Sequence, residues 1–264
     1  MTAQTVAERR AANGWWWASG RDLARPGLWD AVVAGATLTW VPLVLLLDRG
    51  SSLWFQRLLG VGTWVLLLAL LRRETPLVRA QVAVVIAFAT VVEYTCSPLL
   101  EVYVYRLGNV PAFVPPGHGL VYLCALSLGR SALFREQRNR IVVATVVAGA
   151  AYAAWGLLLS SRRDVLGAFW FLCLLGFLRW GRSASLYAGA FVIVTYLELL
   201  GTWLGTWRWQ ETDPTGLIAI GNPPSGAAGG YGWFDLAATL AAPSLLLVVR
   251  RLRTPRTAEE AARE

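Results

Sequence analysis

Lysine is absent from this 264-residue chain, so all 24 of its basic residues are arginine. Histidine occurs once, at His118, and cysteine three times, at Cys96, Cys124 and Cys173. One histidine cannot supply the clusters that hold a di-iron centre in membrane desaturases and hydroxylases, which argues against that class. The cysteines lack Cys-x-x-Cys spacing and lie within or at the ends of apolar segments, so they read as small buried hydrophobes rather than a disulfide framework or zinc site. A P-loop, HExxH, GxSxG and a dinucleotide-binding GxGxxG are also missing, and nucleotide-driven transport and the common hydrolases lose support. The expected site therefore has no metal and no cofactor.

Charge is scarce too. Charged residues make up 15% of the chain against 56% hydrophobic ones, and mean hydropathy is +0.50. Such a composition belongs to a polytopic membrane protein and excludes one or two ordinary soluble domains. A net charge of +8 can signal nucleic acid, but here the arginines sit in short clusters between apolar runs, which is a topology signal with no nucleic-acid partner implied.

A bilayer core needs about 20 apolar residues per helical crossing, and eight segments qualify, at about 28–47, 52–71, 77–97, 118–134, 141–160, 165–181, 184–203 and 231–249. The sixth is short and the fourth begins in a glycine-rich turn, so seven crossings is the alternative. The fold expected is an all-α polytopic bundle of eight transmembrane helices. On an eight-helix path 18 of the 24 arginines fall on one side, which makes both termini cytoplasmic and the protein a multi-pass component of the cell membrane. Trp15, Trp16 and Trp17 beside Arg9 and Arg10 suit an N-terminal segment at headgroup level, without the pattern of a signal peptide.

One pattern occurs twice. Glu93 in an apolar helix is followed by Tyr103-Val104-Tyr105 and by a loop holding Asn109, Pro111, Pro115 and Pro116; Glu198 is followed by Trp207-Arg208-Trp209 and by Asn222, Pro223 and Pro224. The acids lie 105 positions apart and the Pro-Pro pairs 108, so the halves keep step. This spacing divides the chain into an N-terminal segment 1–27, a four-helix repeat 28–138, a second 139–250 and a tail 251–264. Four crossings return a chain to the same side, so the copies are expected as parallel repeats about an axis along the membrane normal.

Intramembrane acids usually face a cavity or a partner, since their insertion costs at least ~2.5–3.5 kcal/mol. Glu93 and Glu198 are therefore catalytic candidates, as acids able to donate a proton to a lipid-like substrate. Hydrogen bonding between helices, or pairing with Arg106 or Arg208, is the plainer alternative. Tyr103, Tyr105, Trp207 and Trp209 would line one wall if the backbone there is extended, and their π faces would stabilise a carbocation; taken alone, they fit an interfacial aromatic belt slightly better. Asn109 and Asn222 join them as substrate-binding candidates. His118, in Pro116-Gly117-His118-Gly119, is an acid/base candidate or a residue that merely starts a helix, and Asp235 carries the same ambiguity. Glu93, Glu198, His118 and Asp235 are expected to converge near the outer surface.

The order of Glu93, Tyr103, Tyr105, Val110-Pro111 and Val114-Pro115 resembles the pattern of carotenoid-biosynthesis membrane proteins that include the carotenoid 1,2-hydratases. Glu198, Gly201, Gly205, Trp207 and Trp209 form a second match. The resemblance covers roughly 93–116 and 198–224 and departs from the pattern at Val92, where histidine is expected, and at Gly117-His118-Gly119, which lacks an expected tryptophan. It implies water addition across an isoprenoid double bond without metal or nucleotide. Protonation-initiated cyclisation, as in integral membrane terpene cyclases, fits the same residues. A small-solute or lipid transporter or binding protein is the alternative, and a structural subunit without chemistry is a third reading.

Overall fold

A computed structural model describes residues 27–253. The tryptophan cluster at 15–17 and both chain ends lie outside the described residues.

Among the described residues, eight helices of 16 residues or more follow the eight apolar segments: α1 (Leu28–Asp48), α2 (Leu53–Leu71), α3 (Pro76–Tyr94), α4 (Val114–Arg130), α6 (Arg138–Leu158), α7 (Val165–Trp180), α8 (Ala184–Trp203) and α9 (Ala228–Arg253), with a short α5 (Ala132–Glu136) between α4 and α6. Six of them (α1, α2, α3, α6, α8 and α9) are long and apolar enough to cross a membrane, while α4 and α7 have 17 and 16 residues. Side chains cap several starts: Ser52 accepts from the Phe55 amide, Thr75 from Val78, Asp164 from Gly167 and Ser183 from Leu186. α4 begins four residues earlier than the apolar run suggests, because Pro115 and Pro116 fit a first helical turn, whose amides need no intrahelical acceptor.

All-α needs one correction. The two aromatic-x-aromatic steps are β1 (Tyr103–Tyr105) and β2 (Trp207–Trp209), and they pair with each other as an antiparallel ladder. Partners are Tyr103 with Trp209, Val104 with Arg208 and Tyr105 with Trp207, a register symmetric about its centre.

α4 is the core element. Every residue from Leu120 to Ser127 is buried, so this helix is apolar all round because other helices surround it, not lipid. It packs most extensively on α8, and α3 on α9. Small residues permit the α4–α8 approach: a Cβ on Gly129 would meet the Leu186 backbone nitrogen at 2.9 Å, and one on Gly189 the Ala125 carbonyl at 2.8 Å. α2 and α6 instead turn residues such as Trp54, Val65, Val143 and Val147 outward, as lipid-facing helices do.

At the end of the bundle away from the ladder, Arg130 closes a buried ion network. Its guanidinium donates to Glu74 Oε2 at 3.1 Å and Oε1 at 3.0 Å, and reaches Asp30 Oδ1 at 2.9 Å. This joins the start of α1, the α2–α3 turn and the end of α4. Arg130→Ala would leave two carboxylates buried without their cation, and we expect it to cost about 3–5 kcal/mol. Unfolding of detergent-solubilised protein by SDS titration measures this; Val147→Ala, at a 62% exposed position, should leave the midpoint unchanged.

Candidate functional site

Glu93 lies one residue from the end of α3. The helix continues as a π-helical turn, Thr95–Leu99, which contains Pro98, and the chain reverses at Glu101 with φ 51°. α8 ends at Trp203 and reverses at Gly205, where φ is 72°, a conformation that glycine adopts without steric cost. Each reversal sends the following strand back over the glutamate that precedes it.

Both aromatics of each strand reach that glutamate. Tyr103 and Tyr105 donate their hydroxyls to Glu93 Oε2 at 2.9 and 2.8 Å. Trp207 and Trp209 donate their indole N–H groups to Glu198 Oε2, each at 3.0 Å. Residues two apart on a strand share a face, so the ladder turns all four rings to one side. Tyr103 and Trp209 sit 4.6 Å apart between centroids, Tyr105 and Trp207 6.1 Å. Trp207 lies against α8 where Gly201 has no side chain; a Cβ there would overlap the indole. Burial first, and then the Glu93 charge, pushes both phenols well above their ordinary range, so they serve as donors.

His118, in the first turns of α4, joins this group through Nε2, 2.8 Å from Glu93 Oε1, and through Nδ1, 2.7 Å from the Tyr231 hydroxyl. With Nε2 donating to the carboxylate, Nδ1 accepts from Tyr231. The imidazole stacks on Tyr231 with an interplanar angle of 19° and meets Phe234 edge-on. Glu93 thus has partners on both oxygens, whereas among the described residues Glu198 has side-chain hydrogen bonds on Oε2 alone.

Beneath the ladder is a cavity of about 400 Å³. Glu93, Glu198, His118 and Tyr231 supply polar groups; Trp40, Trp170, Phe113, Leu197 and other apolar residues form most of the wall. Four strands of inference from the sequence therefore meet here: both glutamates, the histidine, the tyrosine pair and the tryptophan pair.

Other candidates go elsewhere. Asp235 does not join the cavity: Arg182 holds it at 2.7 Å, and the hydroxyls of Tyr122 and Tyr187 each donate to it at 2.9 Å. It lies one helical turn beyond Tyr231 on α9, deeper in the bundle. Asn109 donates to Gln56 at 2.9 Å and Asn222 accepts the Trp209 backbone N–H at 3.0 Å; neither lines the cavity, and both brace loops. The alternative pairing of Glu93 with Arg106 does not occur: Arg106 meets Asp48 instead, at 3.4 Å. Arg208 projects from the ladder face opposite the four rings, away from Glu198.

Among the cavity residues without a distinct mark in the sequence are Tyr231, Trp170 and Asp213. Tyr231 stood in the Tyr-Gly-Trp-Phe run before Asp235, but the acid one turn on drew attention. Trp170 belongs to a uniformly apolar helix and gave no signal. Asp213 sits at the rim, where hydrogen bonds from Thr215 first, then the Ile218 amide, hold its carboxyl below the ordinary range. Among the described residues no group of three or more metal-ligating side chains occurs.

Comparison with protein-family models, with curated proteins and with solved structures finds no match.

Glu198→Leu should leave two indole N–H groups without an acceptor, at about 1–3 kcal/mol each. Two of the indole resonances in a ¹⁵N-tryptophan spectrum should shift upfield, the same two that disappear in Trp207→Phe and Trp209→Phe. Unshifted signals would contradict the shared acceptor.

Proposed function

We propose that the protein is an integral membrane enzyme that adds water to, or cyclises, an isoprenoid or similar lipid by acid/base chemistry in the cavity under the ladder. The observation that carries this reading is the unequal bonding of two carboxyls that face one apolar space. Glu93 accepts from two phenols and meets His118, so a proton on it would displace one of these partners. Glu198 has one oxygen without a hydrogen bond, and a proton there breaks nothing.

In the hydration form, Glu198 Oε1–H gives its proton to one carbon of a double bond, whose π electrons form the new C–H bond. The other carbon becomes cationic, beside the π faces of Trp207, Trp209 and Tyr103. A water oxygen then forms the C–O bond, its spare proton passes to the Glu93–His118 pair, and exchange with water restores both groups. Tyr231 positions His118 by fixing its tautomer. In the cyclisation form a second double bond captures the cation and a proton is lost instead.

The eight-span, two-repeat architecture is part of the same proposal. The symmetric ladder register, the exchange of α3–α9 for α8–α4 packing and the matched glutamate–aromatic contacts support parallel halves. The arginine distribution places the ladder outward and both termini in the cytoplasm of a cell-membrane protein. Transport or lipid binding without catalysis is the second reading; the cavity beneath the outer ladder favours it less than a site formed by broken helices at the midplane would.

Protein in liposomes supplied with an acyclic polyisoprenoid should yield a product heavier by one water, or an isomer of unchanged mass for cyclisation. Glu198→Gln and Glu93→Gln should each lower the rate by about 10²–10⁴-fold, the usual contribution of a positioned acid or base. Full turnover in both variants would overturn the assignment, and proton-coupled uptake of unaltered solute would favour the carrier.

A further inference from the structure

A second cavity, of about 500 Å³, lies beside the first and is polar. Glu101, Arg162, Arg208 and Glu211 line it, together with Gln210 and Thr212. Two cations and two anions leave it close to neutral, which suits water better than an anionic or cationic solute. Between the cavities runs the ladder and its continuation, closed by the Gln210 amide on the Val102 carbonyl at 2.9 Å. Val102 faces the apolar space and Glu101 the polar one; Trp209 lines both.

Trp209 is fixed on every side. Its backbone N–H meets Asn222 Oδ1 at 3.0 Å, its carbonyl accepts from Arg162 at 2.9 Å, its indole donates to Glu198, and its ring lies on Tyr103. The residue that holds the uncommitted acid is therefore also the partition from the polar side.

We propose that the polar cavity is the vestibule from which water reaches the membrane cavity, and that Trp209 sets how readily it crosses to Glu198. Asn222 and Arg162 are positioning residues that keep this partition in place. Water as co-substrate rests on the hydration reading; the partition does not.

Cys96 lines the apolar cavity and reports on access without any turnover. In a Cys124→Ala, Cys173→Ala background, reconstituted in nanodiscs, a charged methanethiosulfonate reagent should label it slowly. Trp209→Ala should raise that rate by about tenfold, because thiol modification follows access, and Trp209→Phe, which keeps a ring, should raise it far less. Trp207→Ala removes an indole that lines the apolar cavity alone and should leave the rate unchanged. No acceleration in Trp209→Ala, or an equal one in Trp207→Ala, would overturn the proposal. Water-edited solid-state NMR of the unaltered protein tests it without a cavity mutation: polarisation should reach the Trp209 side chain before that of Trp207, and the reverse order would contradict the vestibule. A labelling response without hydration activity would remove only water's role as co-substrate.

Discussion

The pairing of Tyr103–Tyr105 with Trp207–Trp209 is the constraint on which the site depends. Side chains alternate across a strand, so a slip of one residue in either strand would turn Val104 or Arg208 toward the cavity and take that strand's two rings out of reach of its glutamate. Four side-chain hydrogen bonds to the two carboxylates and the ring contacts across the ladder oppose that slip. The ladder in turn exists because each helix that carries one of the glutamates is stopped and reversed, one by a π-helical turn and Glu101, the other by Gly205. Chain reversal, register and carboxylate binding are thus one arrangement seen at three levels.

Elsewhere the bundle handles buried acids differently. Glu74 and Asp30 share Arg130, Asp235 has Arg182, and Asp48 has Arg106. Asp164 accepts three backbone amides, from Gly167, Gly221 and Ser225, and so ties α7 to the loop before α9. A guanidinium offers donors in a fixed fork and no acceptor, so the acids paired with arginine act as fasteners between helices. Glu93 and Glu198 are met instead by phenol, indole and imidazole groups beside an apolar space. That contrast in partners separates acids that fasten helices through arginine from the two that line the apolar cavity.

Hydrophobic runs made the helices legible, to within a few residues at most ends. The ladder was half legible: an extended step was needed for Tyr103 and Tyr105 to share a face, but nothing local said that its partner would be Trp207–Trp209, about a hundred residues on. Long-range pairing leaves no mark on a single strand's sequence. Asp235 misled because an acid in an apolar helix looks the same whether an arginine or a cavity meets it, and Arg182 is 53 positions away. Tyr231 was hidden for the opposite reason, since tyrosine near a helix start ordinarily means an interface. Asn109 and Asn222 had the polarity of ligand-binding groups but the loop-bracing role that asparagine fills more often.

The two copies of the pattern differ in one chemical respect, and that difference decides what each glutamate can do. A phenol both donates and accepts, whereas an indole only donates. Two phenols and an imidazole surround Glu93, and the hydrogen-bonded set extends through His118 to Tyr231. Two indoles on one oxygen of Glu198 can only donate. They hold Oε2 as an acceptor whatever the protonation state, which confines any proton to Oε1, on the cavity side. A site built from two identical halves would offer two equivalent carboxyls; with tyrosines in one half and tryptophans in the other, the two carboxyls differ in the partners they meet.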